Sequence, residues 1–167
     1  MLKLLWISLV VLILDQITKA AATANLEMWT PVEVMPYFNF MLAHNTGAAF
    51  SFLADSGGWQ RWFFTIIATV VSIAIIVWIK KLKPEEKTLG ISLSLILGGA
   101  IGNLVDRVRF GYVVDFIDVY VGTAHWPAFN VADSAICVGA AIMIITSFRQ
   151  PHNAEQDDEK KKTQKKD

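Results

Sequence analysis

One cysteine, Cys137, stands in the 167 residues, so no disulfide framework can form within the chain. Histidine is scarce, at three, and no His/Cys cluster has the spacing of a metal site. There is no G-x-S-x-G elbow for a serine nucleophile and no glycine-rich loop to cradle phosphate. Net charge is lacking too, since fifteen Lys and Arg balance fifteen Asp and Glu. That balance argues against a nucleic-acid partner held by excess positive charge. Charged residues make up only 18 %, against about 25 % in an ordinary soluble domain. Apolar residues make up 54 %, against roughly 45–50 %. So much apolar side chain excludes a disordered chain, and the length allows about one domain.

What the chain does have is long uncharged runs. Residues 62–79 and 88–105 carry no charge, and 131–148 carries one carboxylate, Asp133, in its first turn. Residues 4–24 form a fourth run, interrupted by Asp15 and Lys19. Roughly 17–25 apolar residues span a bilayer as a helix, and backbone polar groups in hydrocarbon must pair within the segment. A soluble bundle would need polar faces that these runs lack. The first run imitates a cleavable signal peptide, with Lys3, apolar residues 4–14 and then Ala22-Thr23-Ala24. Asp15 and Lys19 fall before the supposed cleavage site, however. They lie four apart on one helix face and can pair, as charges inside a membrane bundle do. The first run therefore reads as a retained helix.

The fold expected is an all-α membrane protein with four transmembrane helices and a small extracytoplasmic β-sheet. The sheet would come from 30–36, 37–42 and 112–120, which are rich in β-formers, with 48–53 as a further strand. Asn45-Thr46-Gly47 and Asp55-Ser56-Gly57-Gly58 read as turns. Residues 1–149 would form the membrane domain, and 150–167, with five acids and five lysines, a disordered charged tail. Lys80, Lys81, Lys83 and Lys87 put the loop between the second and third helices in the cytoplasm, and both termini with it. The cytoplasmic side then carries eleven basic and seven acidic residues, and the remainder four basic and eight acidic.

Polar chemistry gathers at the outer ends of the helices, around Asp106, Arg107, Asp115, Asp118 and Asp133. Asp133 follows Asn130, a good N-cap, so its carboxylate lies where the helix dipole stabilises negative charge. Asp115 lies in an apolar strand-like run, where desolvation favours its neutral form. Two carboxylates in contact share a proton, and one then activates water while the other acts as acid. Carboxylates merely paired to Arg107 or Arg109 are the structural alternative, and Asp118 and Asp106 are the rival acids. His44 and His125 read as interfacial polar residues. Cys137 reads as a buried, inert thiol. A small proton-coupled transporter using Asp15 is the alternative from another class.

Five motifs in order resemble the bacterial lipoprotein signal peptidase (signal peptidase II) family. Asp15-Gln16-Ile17-Thr18-Lys19 resembles its D-Q-x-[ST]-K, and Asn45-Thr46-Gly47-Ala48-Ala49-Phe50 its N-x-G-[AV]-[AS]-[FW]. The segment from Gly98 to Arg107 resembles G-G-A-x-G-N-x-x-D-R. Val113-Val114-Asp115-Phe116 resembles V-[VI]-D-[FM], and Phe129-Asn130-Val131-Ala132-Asp133-Ser134 resembles F-N-[VIL]-A-D-[SA].

The resemblance implies an aspartic endopeptidase of the inner membrane, with its site near the outer face. It would remove signal peptides from diacylglyceryl-modified prolipoproteins, cutting just before the lipidated cysteine. Asp115 and Asp133 would be the catalytic pair. Asn45, Gly47, Asn103, Arg107, Asn130 and Ala132 would bind substrate or support the pair. Asp15 and Lys19 would hold the first helix in place. The partners implied are lipid-modified precursors and membrane lipid, with no cofactor, metal or nucleic acid. The loop 45–55 would act as a lid.

Overall fold

The computed structural model describes residues 1–47 and 58–149. The expected strand at 48–53, the turn residues 55–57, the lid beyond Gly47 and the tail 150–167 lie outside them. Four helices are each long and apolar enough to cross a membrane: α1 (Leu5–Asn25), α2 (Trp59–Lys81), α3 (Lys87–Phe110) and α4 (Val131–Arg149). Large apolar side chains such as Trp6, Ile17, Ile66 and Val70 stand exposed on them, which suits a lipid surround.

The central helix is α3. It packs against all three others, and 56 % of its span is buried, against 17 % for α2 and for α4. Glycine makes this possible. A Cβ on Gly98 would lie 2.7 Å from Val11 Cβ, and one on Gly99 would collide with the Ala132 carbonyl. Small residues thus let α1 and α4 close on α3 backbone to backbone. At the opposite end from the sheet, Ile75, Ile79, Leu82, Leu93 and Leu97 form an apolar core between α2 and α3.

The sheet is antiparallel, in the order β1 (Val32–Met35), β2 (Phe38–Asn45), β3 (Val113–Val121) and β4 (Ala124–His125). A bulge in β2 between Phe40 and Ala43 has a consequence for the site. Asn39 and Asn45 are six apart and would share one face of a regular strand. The extra residue reverses the alternation, so Asn39 pairs with Asp118 and Asn45 with Val113, on opposite faces of β3.

Two expectations need correction, and one short strand was not foreseen. The third span runs on to Phe110 rather than stopping at Val105, because Asp106 is neutralised by Lys19 of α1 at 2.8 Å and does not end the helix. The two-residue β4 carries too little pattern to be read from sequence. Cys137 is exposed on α4, not buried, because an apolar-flanked position in a membrane helix can face outward.

Candidate active site

Two groups of carboxylates meet where α1, α3, α4 and β3 converge; Asp15, Asp106 and Asp115 are buried and Asp133 is half-buried. The first is built on α1. Asp15 and Lys19 stand one turn apart and pair at 2.9 Å. The Lys19 ammonium has three protons, and all are used: Asp15 Oδ2 at 2.9 Å, Asp106 Oδ2 at 2.8 Å and Asn103 Oδ1 at 2.9 Å. Asp15 is 0 % exposed and Asp106 1 %. Each carboxylate also accepts a backbone N–H. Asp15 Oδ1 accepts the Ala132 N–H at 2.9 Å, and Asp106 Oδ2 accepts the Val114 N–H at 3.1 Å. The α1 network thereby holds both the start of α4 and the start of β3. Gln16 Nε2 adds bonds to Asp15, Asp106 and the Gly102 carbonyl. A Cβ on Gly102 would lie 2.6 Å from Asp15 Oδ2, so only glycine leaves room for that carboxylate.

The second group is Asp115 on β3 and Asp133 in the first turn of α4. Asn130 ties them together. Its Oδ1 accepts the Asp133 N–H at 2.9 Å, while Asp133 Oδ2 accepts the Asn130 N–H at 3.3 Å, a reciprocal cap of the helix. Its Nδ2 donates to Asp115 Oδ1 at 2.7 Å. Asn45 Nδ2 donates to the other Asp115 oxygen at 3.2 Å, its amide orientation set by the Gly47 N–H, which donates to Asn45 Oδ1 at 3.0 Å. Asn103 Nδ2 donates to Asp133 Oδ1 at 2.7 Å and, through its own oxygen, links that carboxylate to Lys19.

Amides are the direct partners of Asp115, and among the described residues no cation forms an ion pair with it. Burial first, and Asp133 second, push its carboxyl up to about 7 from an ordinary 3.8, against the opposing pull of Asn45, Asn130 and Lys19. Arg107 lies in the field of Asp133, Asp115 and Asp106, yet its Nη2 donates to the Gly47 carbonyl at 3.0 Å. Among the described residues the ion pairs are Lys19–Asp15, Lys19–Asp106 and His125–Asp118. Neither Arg107 nor Arg109 forms one there, so the alternative of arginine-paired carboxylates is not met. Arg109 instead lies 4.9 Å over the Phe110 ring.

The structure therefore brings together Asp15, Lys19, Asn45, Gly47, Asn103, Arg107, Asn130, Ala132, Asp115 and Asp133. Asp118 points to the other face of β3, bonded to Asn39 Nδ2 at 2.8 Å and 2.9 Å from His125 Nδ1. His44 stacks on Tyr112 at 3.8 Å between centroids, and burial lowers the pKa of its imidazole. Reading the sequence missed Gln16, whose motif was visible but whose bonds were not, and Asn39, which nothing in the chain distinguishes from an exposed strand residue.

A multi-pass membrane protein with a carboxylate pair at a helix–sheet junction is the class this architecture defines. The chain belongs to the signal peptidase II family: the family pattern described as Signal peptidase (SPase) II matches residues 7–149. It is similar to a lipoprotein signal peptidase of Alteromonas mediterranea, 52 % identical over 89 % of this chain and 81 % of that protein. Another, of Pseudomonas aeruginosa, is 53 % identical over 90 % of each chain. A solved bacterial membrane enzyme superposes with a TM-score of 0.81 at 33 % identity, covering 90 % of each chain.

Proposed function

We propose that this protein is an aspartic endopeptidase that removes the signal peptide from diacylglyceryl-modified prolipoproteins, cutting just before the lipidated cysteine. One observation carries the reading: Asn130 hydrogen-bonds both Asp115, which is buried, and Asp133, which is half-buried, and among the described residues no arginine forms an ion pair with either. Asp133, at the positive end of α4, is the ionised partner. Asp115 carries the proton. The pair bridges one water. Asp133 takes a proton from it as its oxygen bonds the scissile carbonyl carbon, while Asp115 hydrogen-bonds the carbonyl oxygen. As the C–N bond breaks, Asp115 gives its proton to the leaving amine, and the acyl half departs as a carboxylic acid. Arg107, Asn45, Gly47, Asn103, Asn130 and Ala132 hold the pair or the substrate backbone, and Asp15 and Lys19 hold α1 against it.

Residues 1–149 form the peptidase domain, and 150–167 a charged tail. The protein sits in the inner membrane with both termini cytoplasmic. The sheet and the carboxylate pair lie at the outer face, opposite the lysine-rich loop after α2. Membrane lipid and lipidated precursors are its partners. The transporter alternative has no observation in its favour, since Asp15 is paired to Lys19 and occupied by the Ala132 N–H. The test is Asp115→Asn and Asp133→Asn, each folded and assayed on a lipidated precursor. Cleavage should be lost in both, and retained cleavage by either refutes the pair. Equal cutting of an unlipidated precursor refutes the substrate class.

A further inference from the structure

Arg61 stands in the first turn of α2, where the helix dipole disfavours a cation. The C-terminal carbonyls of α3 offset this. Arg61 Nε donates to the Arg107 carbonyl at 3.0 Å and Nη2 to the Val108 carbonyl at 2.8 Å. A Cβ on Gly111, just past the helix end, would lie 3.4 Å from Arg61 Nη1, so the guanidinium is packed down on that end. One turn further along α2, the Phe64 ring lies 5.4 Å from the Arg107 guanidinium. Helix α2 therefore grips Arg107 twice, by its backbone carbonyl and by its side chain. The guanidinium so held reaches the Gly47 carbonyl and lies in the field of both Asp133 and Asp115.

We infer that Arg61 is a positioning residue: together with Phe64 it fixes Arg107 beside the carboxylate pair, and so sets turnover without touching substrate. This rests on the roles proposed for Asp115, Asp133 and Arg107. A small displacement of a charged group at a reacting centre costs up to about 100-fold, so the effect belongs in kcat.

The test uses the full chain, purified in detergent, as R61A, R61K, R107A and the double variant R61A/R107A. The substrate is a diacylglyceryl-modified precursor peptide. R61A should lower kcat about 10- to 100-fold with KM changed less than about threefold. R61K should recover part of the loss, because an ammonium can still donate to one carbonyl. R61A/R107A should be no slower than R107A, because both changes act through one group. If the two losses multiply instead, or if R61A lowers only the melting temperature while kcat per folded enzyme is unchanged, the inference is overturned. Should R61A fail to fold, F64L replaces it, with a loss of about tenfold or less expected on the wild-type background and none on R107A. Full activity of R107A alongside inactive D115N and D133N removes the role of Arg107, and this inference with it. Loss in R107A without loss in R61A or F64L overturns this inference alone. Activity in D115N or D133N overturns the reading beneath it.

Discussion

The Asp15–Asp106 and Asp115–Asp133 groups lie side by side, the first fully buried and the second with Asp115 buried and Asp133 half-buried. Asp15 and Asp106 share Lys19, whose three N–H groups are all directed at their site. Asp115 and Asp133 receive amides: Asn45, Asn103 and Asn130. An ammonium fixes a carboxylate as an anion and makes it a structural strut. An amide orients a carboxylate without cancelling its charge, so two that are close compete for one proton. Asn103 stands on the boundary, accepting a hydrogen bond from Lys19 and donating one to Asp133. The same layer of protein thus holds a cluster neutralised by a cation and the pair proposed to be catalytic, and the partner type separates them.

Breaking the Asp115–Asp133 pair should have the largest effect. Asp115→Asn or Asp133→Asn should lower kcat about 10⁴-fold on a lipidated precursor, with the melting temperature held or raised. Breaking the neutralised cluster should act on folding instead. Lys19→Met leaves Asp15 and Asp106 buried without a cation and should cost about 3–5 kcal/mol, read as loss of folded protein in detergent.

The Asp115 proton gives a sharper contrast. Its carboxyl sits at about 7 in the folded chain and near 3.8 when unfolded. Between those values the folded chain keeps a proton that the unfolded chain has released. Stability should fall as pH rises from about 4 to about 7 and level off above, by up to about 4 kcal/mol, and Asp115→Asn should abolish the slope. Turnover should fall through the same upper limit, since the acid is then lost. Asn130→Ala removes the helix cap and the link between the two carboxylates. About 1 kcal/mol of stability should go with it, and kcat should fall about tenfold or more. Asp118→Asn, on the far face of β3, should change kcat by less than about threefold, which measures how far the sheet insulates its two faces.

The four spans were legible because uncharged runs of bilayer length have one physical reading. Their ends were less so: a charge such as Asp106 stops a membrane helix only when nothing inside neutralises it, and Lys19 lies 87 positions away in the sequence. The Asp15–Lys19 pairing was visible from spacing alone, whereas its bond to the Ala132 N–H is tertiary and was not. Of the acids, Asp115 and Asp118 looked alike in one β-rich run. What separates them is strand alternation on β3 combined with the β2 bulge, and no residue in 38–45 announces an inserted position. Arg61 was not singled out in the sequence, because its partners are carbonyls, which leave no trace in composition.

The most direct test of a shared proton is an infrared titration of the folded enzyme in detergent, following the carbonyl stretch of protonated carboxyl groups in wild type and Asp115→Asn. The expected result is a band that disappears as pH rises through about 7 and is absent from Asp115→Asn. A wild type whose carboxyls have all ionised by about pH 5 would contradict it, and with it the division between a neutralised cluster and the pair proposed to be catalytic.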